Sequence, residues 1–374
     1  MKNSKKKKSI SRRKAVKDIS LAGSSLAFMP LVSSFKNKEE KKLGVAIVGL
    51  GNYATRQIGP ALLKTEFCKI QAIVTGTPEK EKVWQDKYGI SPKHTYNYKN
   101  FDSIKDDPTI DIVYIVLPNF MHAEYTIRAL QAGKHVICEK PMGMNAAECK
   151  TMIVAAKKAK RKLQIGYRLF YEPHHLKVME EANKPFKGRI KLIESSLGFD
   201  MARPGLWRID KKMGGGGALM DLGIYTIQAA RRAAGHNPIA VTAHAYKDDP
   251  ELYKDIFGTY VFQLHFKDTT VCNSTVSFSA YTDRFHVATG NGYLEIQPAF
   301  SANNITGITS WNESKETLPM PEFQQTAQID AFARNIFDST PILGSGEEGL
   351  IDMQIIDAIK KAIDSGKKEM VNYG

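Results

Sequence analysis

Asp221 and Tyr225 stand four residues apart in the run GGGGALMDLGIY, directly behind the glycines at 214–217. If residues 219–234 wind as a helix, the two side chains share one face. Such a pair can serve an alcohol that is being oxidised, the phenol oxygen taking the hydroxyl proton while the carbon gives up hydride. Tyrosine ionises near pH 10, so acting near neutrality needs about 4 kcal/mol of preferential phenolate stabilisation. Asp221 alone opposes that, which assigns it to a substrate hydroxyl or to pairing with a cation. Lys140, in Cys138-Glu139-Lys140-Pro141, is the cation in question. At a strand end beside a cationic hydride acceptor, its pKa is expected to be depressed, and it would help the tyrosine ionise. The proline restricts Lys140 to extended geometry and is compatible with a cis bond. A plainer reading also stands: a surface turn at Glu-Lys-Pro, and a helix that packs Tyr225 into a core with Asp221 as an end charge.

These residues need elements to hold them, and the clearest is LGVAIVGLGNYA at residues 43–54. An apolar, β-branched run enters Gly49-Leu50-Gly51, and residues 53–63 can wind as a helix. Glycines suit a tight strand-to-helix turn whose backbone N–H groups approach a pyrophosphate, which makes Gly49, Gly51, Asn52 and Tyr53 candidates to hold a dinucleotide. A second strand at 69–74 leads into Thr75-Gly76-Thr77-Pro78-Glu79-Lys80, where such a site selects its cofactor. NAD sites place an acid there for the ribose hydroxyls, and residues 67–78 contain none. Hydroxyls at Thr75 and Thr77 and the charge of Lys80 suit a 2′-phosphate, so NADP is favoured over NAD.

The run 111–117, DIVYIVL, reads as a parallel strand covered on both faces. Leu117, Asn119 and His122 follow at its carboxyl end, where ligands bind in a doubly wound sheet; His122 can equally be a helix-start residue. Helix at 123–132, strand at 134–138, helix at 146–160 and strand at 163–167 continue the alternation. Glu139 and Lys140 close one of these strands and are candidates to hold the cofactor there, and Arg168 and Tyr171 mark the exit from the domain. Strands at 190–197, 239–246, 258–266, 270–280, 285–289 and 293–297 then read as a mostly antiparallel sheet, open on one face and available for oligomer formation. Trp207 and Arg208 precede the glycine run. Helix-like segments at 325–337 and up to 363 read as packing without chemistry. The fold class is therefore α/β, with a dinucleotide-binding Rossmann domain at 43–167 and a C-terminal α/β domain at 168–374.

Residues 1–42 stand apart. A lysine cluster, Arg12-Arg13, a short apolar run from 19 to 32 and small residues follow one another in the order of a twin-arginine export signal. The run is too short and too rich in Gly and Ser for a membrane span, so no stable membrane association is expected after export. A disordered basic tail is the alternative. The net charge of +14 is concentrated here, with 13 Lys and Arg against 3 Asp and Glu; the other 332 residues carry 40 against 36. A nucleic-acid partner is not expected of so balanced a folded part. Cys68, Cys138, Cys149 and Cys272 form no C-x-x-C pair and no metal-like spacing with histidine, so no metal is expected.

Taken together, GLGNYA, TGTPEK, LPNFMH, CEKP, GYR, WR, GGGGALMDLGIY and GEEG resemble the glucose-fructose oxidoreductase family within the Gfo/Idh/MocA group, over most of residues 43–365. The resemblance implies a C-terminal sheet that builds homodimers or homotetramers. It implies NADP held through Thr75, Lys80 and Tyr98, and a sugar pocket around Lys140, Asp221 and Tyr225. Tyrosine at 225 is the pattern of this branch, where many relatives in the wider group carry histidine. Members that retain NADP tightly carry a longer arm than the short, charged, proline-free stretch at 35–42, so tight retention does not follow here.

The expectation is an exported, periplasmic, NADP-dependent enzyme that oxidises an aldose to its lactone and returns the hydride to a second sugar. Tyr225 is its acid and base, Lys140 and Asp221 orient and tune it, and Arg168, Tyr171, Trp207 and Arg208 line the sugar. An ordinary sugar dehydrogenase, a nicotinamide-dependent glycosidase and a non-catalytic sugar or nucleotide sensor are the rivals.

Overall fold

The computed structural model describes residues 42–184, 188–302, 305, 307–309 and 314–374. The export-signal reading and the 35–42 arm, apart from Lys42, lie outside the described residues.

Six parallel strands form the first sheet: β1 (Leu43–Val48), β2 (Cys68–Val74), β3 (Thr95–Tyr96), β4 (Ile112–Ile115), β5 (His135–Cys138) and β6 (Leu163–Ile165). Their order is β3-β2-β1-β4-β5-β6. Every residue of β1 and β4 is buried, as unbroken apolar runs covered on both faces must be. The crossovers are α1 (Gly59–Leu63), α2 (Pro78–Tyr88), α3 (His122–Gln131) and α4 (Ala146–Ala159). Asn145 caps α4 by accepting the Glu148 N–H at 2.9 Å, and Gly89, at φ +66°, ends α2. The strand order reverses between β1 and β4, which puts the ligand crevice of this sheet beside the first glycine turn. The segment predicted as one helix over 53–63 instead begins as a π-helical turn, Ala54–Ile58, before α1.

The second sheet has nine strands: β7 (Leu192–Gly198), β8 (Ala240–Tyr246), β9 (Thr259–His265), β10 (Val271–Ser277), β11 (Thr282–Ala288), β12 (Tyr293–Ile296), β13 (Ile308–Thr309), β14 (Lys315–Glu316) and β15 (Glu369–Met370). They lie in the order β14-β13-β12-β11-β7-β10-β9-β8-β15. The sheet is mixed: β7 and β10 run parallel at its centre, and the other pairs are antiparallel. The last three strands have two residues each, too short for an alternating pattern to reveal. Buried and half-exposed residues alternate along β9 and β10, so one face is packed and one is wet. The helices after β6 are α5 (Pro173–Ala182), α6 (Lys211–Gly214), α7 (Ile224–Ala234), α8 (Gln324–Phe337) and α9 (Gly346–Ser365). Of these α5, α7 and α9 pack on this sheet. Among the residues with the other phase, Arg284 pairs with Glu194 and Glu295, and His286 sits 3.0 Å from Glu295.

Helix α8 does not stay with the second sheet. Its Ile329, Phe332 and Ala333 are fully buried in the same cluster as Val45, Ile47, Ile58 and Tyr114 of the first. Asp330 accepts the backbone N–H groups of Glu66 and Phe67 at 3.1 and 3.0 Å, fixing the loop before β2. All four cysteines are buried free thiols.

Candidate active site

The first glycine turn is built for close approach. Gly49 has φ +93°, and a Cβ there would lie 2.4 Å from the Val116 carbonyl oxygen, so no side chain fits. At Gly51 a Cβ would meet nothing within 4 Å, which leaves this turn open in front of the unpaired N–H groups that begin the helix. That open cradle fits a pyrophosphate. Asn52 is exposed beside it, and Tyr53 turns inward to accept a hydrogen bond from Gln325 Nε2 at 2.9 Å. The Gly49→Ala variant is expected to destabilise the fold by about 2 kcal/mol or more and to lose dinucleotide affinity, read by thermal melting and by quenching of protein fluorescence. Near-normal values for both would show that the turn can rebuild.

At the end of β2, Thr75 is buried and its hydroxyl accepts the Thr77 N–H at 3.1 Å, which shapes the turn. Lys80 is exposed on the first turn of α2. Tyr98 lies against Gly76, where a Cβ would stand 2.8 Å from its ring, and meets Tyr125 edge-on at 5.5 Å. An exposed cation, a turn hydroxyl and an aromatic wall thus surround the place where the adenosine end of a dinucleotide would lie.

The second cluster joins the two sheets. Lys140 Nζ donates to Asp221 Oδ1 at 2.7 Å and to the Asp221 carbonyl at 2.8 Å. Arg208 Nε lies 3.0 Å from Asp221 Oδ2, an ion pair whose angle is too poor for a hydrogen bond, and the Arg208 guanidinium stacks 4.4 Å from the Trp207 ring. The Tyr225 ring has Lys140 Nζ at 4.8 Å and the Arg168 guanidinium at 4.9 Å from its centre. Burial raises the pKa of the Asp221 carboxyl, but the two cations outweigh it and hold the group below its usual range. Burial pushes the pKa of Lys140 down, yet the Asp221 carboxylate and Tyr225 prevail and raise it. The Lys140–Pro141 bond is cis.

Asp221 lies in a π-helical turn, Leu219–Gly223, that runs into α7; the predicted single helix over 219–234 is corrected accordingly. Asp210 caps α6 by accepting the N–H groups of Lys212 and Met213 at 2.7 and 3.0 Å. That cap holds Trp207, Arg208 and the glycine run in one piece.

Several residues chosen as direct ligands do other work. Arg168 is buried and spends its N–H groups on Gln324, on the Phe300 carbonyl at 2.6 Å and on the Ser301 carbonyl at 3.4 Å. These bonds hold its guanidinium against Tyr225. Tyr171 donates to the Leu343 carbonyl at 3.0 Å and accepts from Gln164, so it belongs to the approach to α9. Asn119 is buried and donates to the Gly214 carbonyl at 2.9 Å, tying the loop after β4 to the second glycine run. The His122 ring nitrogens lie 2.7 Å from the Pro141 carbonyl and 2.8 Å from that of Leu117. Burial lowers the His122 pKa despite these acceptors, and a neutral ring donates to only one of them. His122 therefore stitches two loops together, and Leu117 is packed beside it.

Part of the stretch read as packing without chemistry packs directly against the site. Gln324, Gln325 and Gln328 of α8 reach Arg168, Tyr53 and Tyr114 respectively, and Tyr114 donates to Glu139 Oε1 at 2.8 Å. Asp283 accepts the N–H groups of Ala299 and Phe300, both at 2.7 Å, and so places the carbonyl that holds Arg168. The phenol inside the apolar run of β4 was the available signal, because a buried Tyr hydroxyl needs a partner.

Comparison with known proteins places the chain. Residues 43–167 match the family described as oxidoreductase family, NAD-binding Rossmann fold, and residues 183–295 match the GFO/IDH/MocA C-terminal domain. The chain belongs to the Gfo/Idh/MocA oxidoreductases. It is similar to the structure of an aldose-aldose oxidoreductase from Caulobacter crescentus, at 37% identity and a TM-score of 0.85, over 88% of this chain and 100% of that one. It is also similar to a D-xylose 1-dehydrogenase [NADP(+)] of Haloarcula marismortui, 26% identical over 86% of this chain and 91% of the relative. KijD10, a 3-ketoreductase from Actinomadura kijaniata, shares the fold at a TM-score of 0.75 and 23% identity, over 86% of this chain and 98% of its own.

Proposed function

We propose that this chain is an exported, NADP-dependent sugar oxidoreductase that oxidises a cyclic aldose at its anomeric carbon to the lactone and returns the hydride to a second sugar. The observation that carries this reading is Tyr225 held between Lys140 and Arg168, next to an Asp221 carboxylate fixed by Lys140 and Arg208. Tyr225 Oη takes the hydroxyl proton of the aldose and gives it back to the second sugar. Asp221, already neutralised by its partners, accepts from a sugar hydroxyl, and Arg208 with Trp207 walls the pocket. A dinucleotide in the crevice supplies the hydride acceptor.

The acid-free turn after β2 and the name of the Haloarcula relative support NADP, and the Caulobacter relative supports a second aldose as hydride acceptor. The Arg12-Arg13 order supports export to the periplasm, and no described helix is long and apolar enough to cross a membrane. The wet face of the second sheet is the surface we assign to a homodimer or homotetramer.

The test is near-ultraviolet absorbance of the purified full chain on adding glucose or xylose, first alone and then with NADP+. A reduced-nicotinamide band that a second aldose or fructose reverses is the expected result. A band before any nucleotide is added would mean that the cofactor is retained. No band under either condition would overturn the proposal.

A further inference from the structure

Glu139 directly follows β5 at the carboxyl edge of the first sheet and is 7% exposed. Space around it is fully used: a Cβ on Gly166 would lie 2.7 Å from its Oε1. Tyr114 of β4 donates to that oxygen, with Gln328 of α8 donating to Tyr114 in turn at 3.3 Å. The charged and titratable groups facing it are Tyr114, Tyr53 from the turn after β1, Arg168 from the turn after β6, and its chain neighbours Cys138 and Lys140. None of these is a second carboxyl group. Burial raises the Glu139 pKa to about 7, against the pull of Tyr114, Lys140 and Arg168 toward the carboxylate.

The sheet order reverses between β1 and β4. A dinucleotide whose pyrophosphate sits on the Gly49 turn and whose adenosine end lies toward β2 therefore carries its nicotinamide over the ends of β4 and β5, where Glu139 and Lys140 stand. The oxidised ring bears one positive charge and the reduced ring none. A buried carboxyl close to that change binds its proton more tightly when the ring is reduced.

We propose that Glu139 is a proton store coupled to the oxidation state of the dinucleotide, ionised opposite the oxidised ring and protonated opposite the reduced one. This rests on the function proposed above and adds a group that does not touch the sugar. During oxidation of a CH–OH group, two electrons and one hydrogen leave the carbon as hydride to the ring, and the hydroxyl proton leaves through Tyr225. Glu139 would take up a second proton, drawn from solvent, as the ring loses its charge, so the sum of the two charges is unchanged. Hydride return to the second sugar reverses both.

The experiment is calorimetric titration of NADP+ and of NADPH into nucleotide-free full-length protein at pH 7, in two buffers of different ionisation enthalpy. The 2′-phosphate is common to both ligands, so the difference in protons exchanged isolates the ring. NADP+ is expected to release about 0.5 to 1 proton more than NADPH. In Glu139→Gln that difference is expected to fall to zero while both nucleotides still bind. Should that variant not fold, Tyr114→Phe removes a donor to the carboxylate and is expected to move the pH of largest difference upward. Equal proton counts in the wild type, or a difference that survives Glu139→Gln, would overturn this inference alone. Binding of neither nucleotide would overturn the proposed function and this inference together.

Discussion

Tyr225→Phe is expected to lower turnover by about 10²- to 10⁴-fold, with dinucleotide affinity and melting temperature close to those of the wild type. The ring itself packs 6.3 Å from Phe300, between Lys140 and Arg168, and phenylalanine keeps that shape. Only the oxygen proposed to exchange the proton is lost. Single-turnover absorbance with an aldose separates this step from product release, and a nucleotide titration on the same sample checks that the crevice is intact. A variant with undiminished single-turnover rate would remove Tyr225 from the chemistry and return the assignment to Asp221 and Lys140. Loss of nucleotide binding along with turnover would mark Tyr225 as structural.

The largest stability loss is expected at Arg231→Met. Asp352 of α9 is fully buried and accepts from Arg231 Nη1, from Gln228 Nε2 at 2.7 Å and from Tyr167 Oη at 2.8 Å. Arg231 also reaches Glu348 at 3.0 Å and Asn237 at 2.9 Å. Without its cation the Asp352 carboxylate is stranded in the interior, at a cost of about 3–5 kcal/mol. Burial already raises its pKa against the opposing pull of Arg231. A carboxyl raised in the folded state penalises folding above its unfolded value and ceases to do so below it. The loss in Arg231→Met is therefore expected to shrink as pH falls from 7 toward about 4, which urea melts at the two ends of that range measure. A deficit that stays constant with pH would mean that lost packing, not the stranded charge, sets the cost.

How much of this was legible in the chain depended on locality. The strands of the first sheet are unbroken apolar runs, and the Gly49 turn sits directly behind one of them, so neighbouring residues were enough to read them. Asp221 and Tyr225 are four apart and Lys140 closes a strand, which made the cluster readable even though Asp221 lies in a π-helical turn. The protein partners of Arg168 are not legible, because a strand exit does not reveal which way a side chain points. Its acceptors Phe300 and Gln324 are 132 and 156 residues downstream. The glutamines of α8 carried no local mark at all, since an amide on a helix reads the same whether it faces water or a buried phenol.

The partnership of Gln325 with Tyr53 spans 272 residues of sequence. It bears on how such proteins can exchange parts. A recombination event with a single crossover near residue 167 would transfer the Gly49 turn, Tyr53 and Tyr114 without the glutamines that satisfy them, and would leave Leu43, Ile47 and Ile58 facing a foreign helix where Ile329 and Phe332 belong. Heritable change in cofactor preference is thus easiest by substitution within the turn after β2. Wholesale replacement of the nucleotide half would require a second crossover that brings α8 with it.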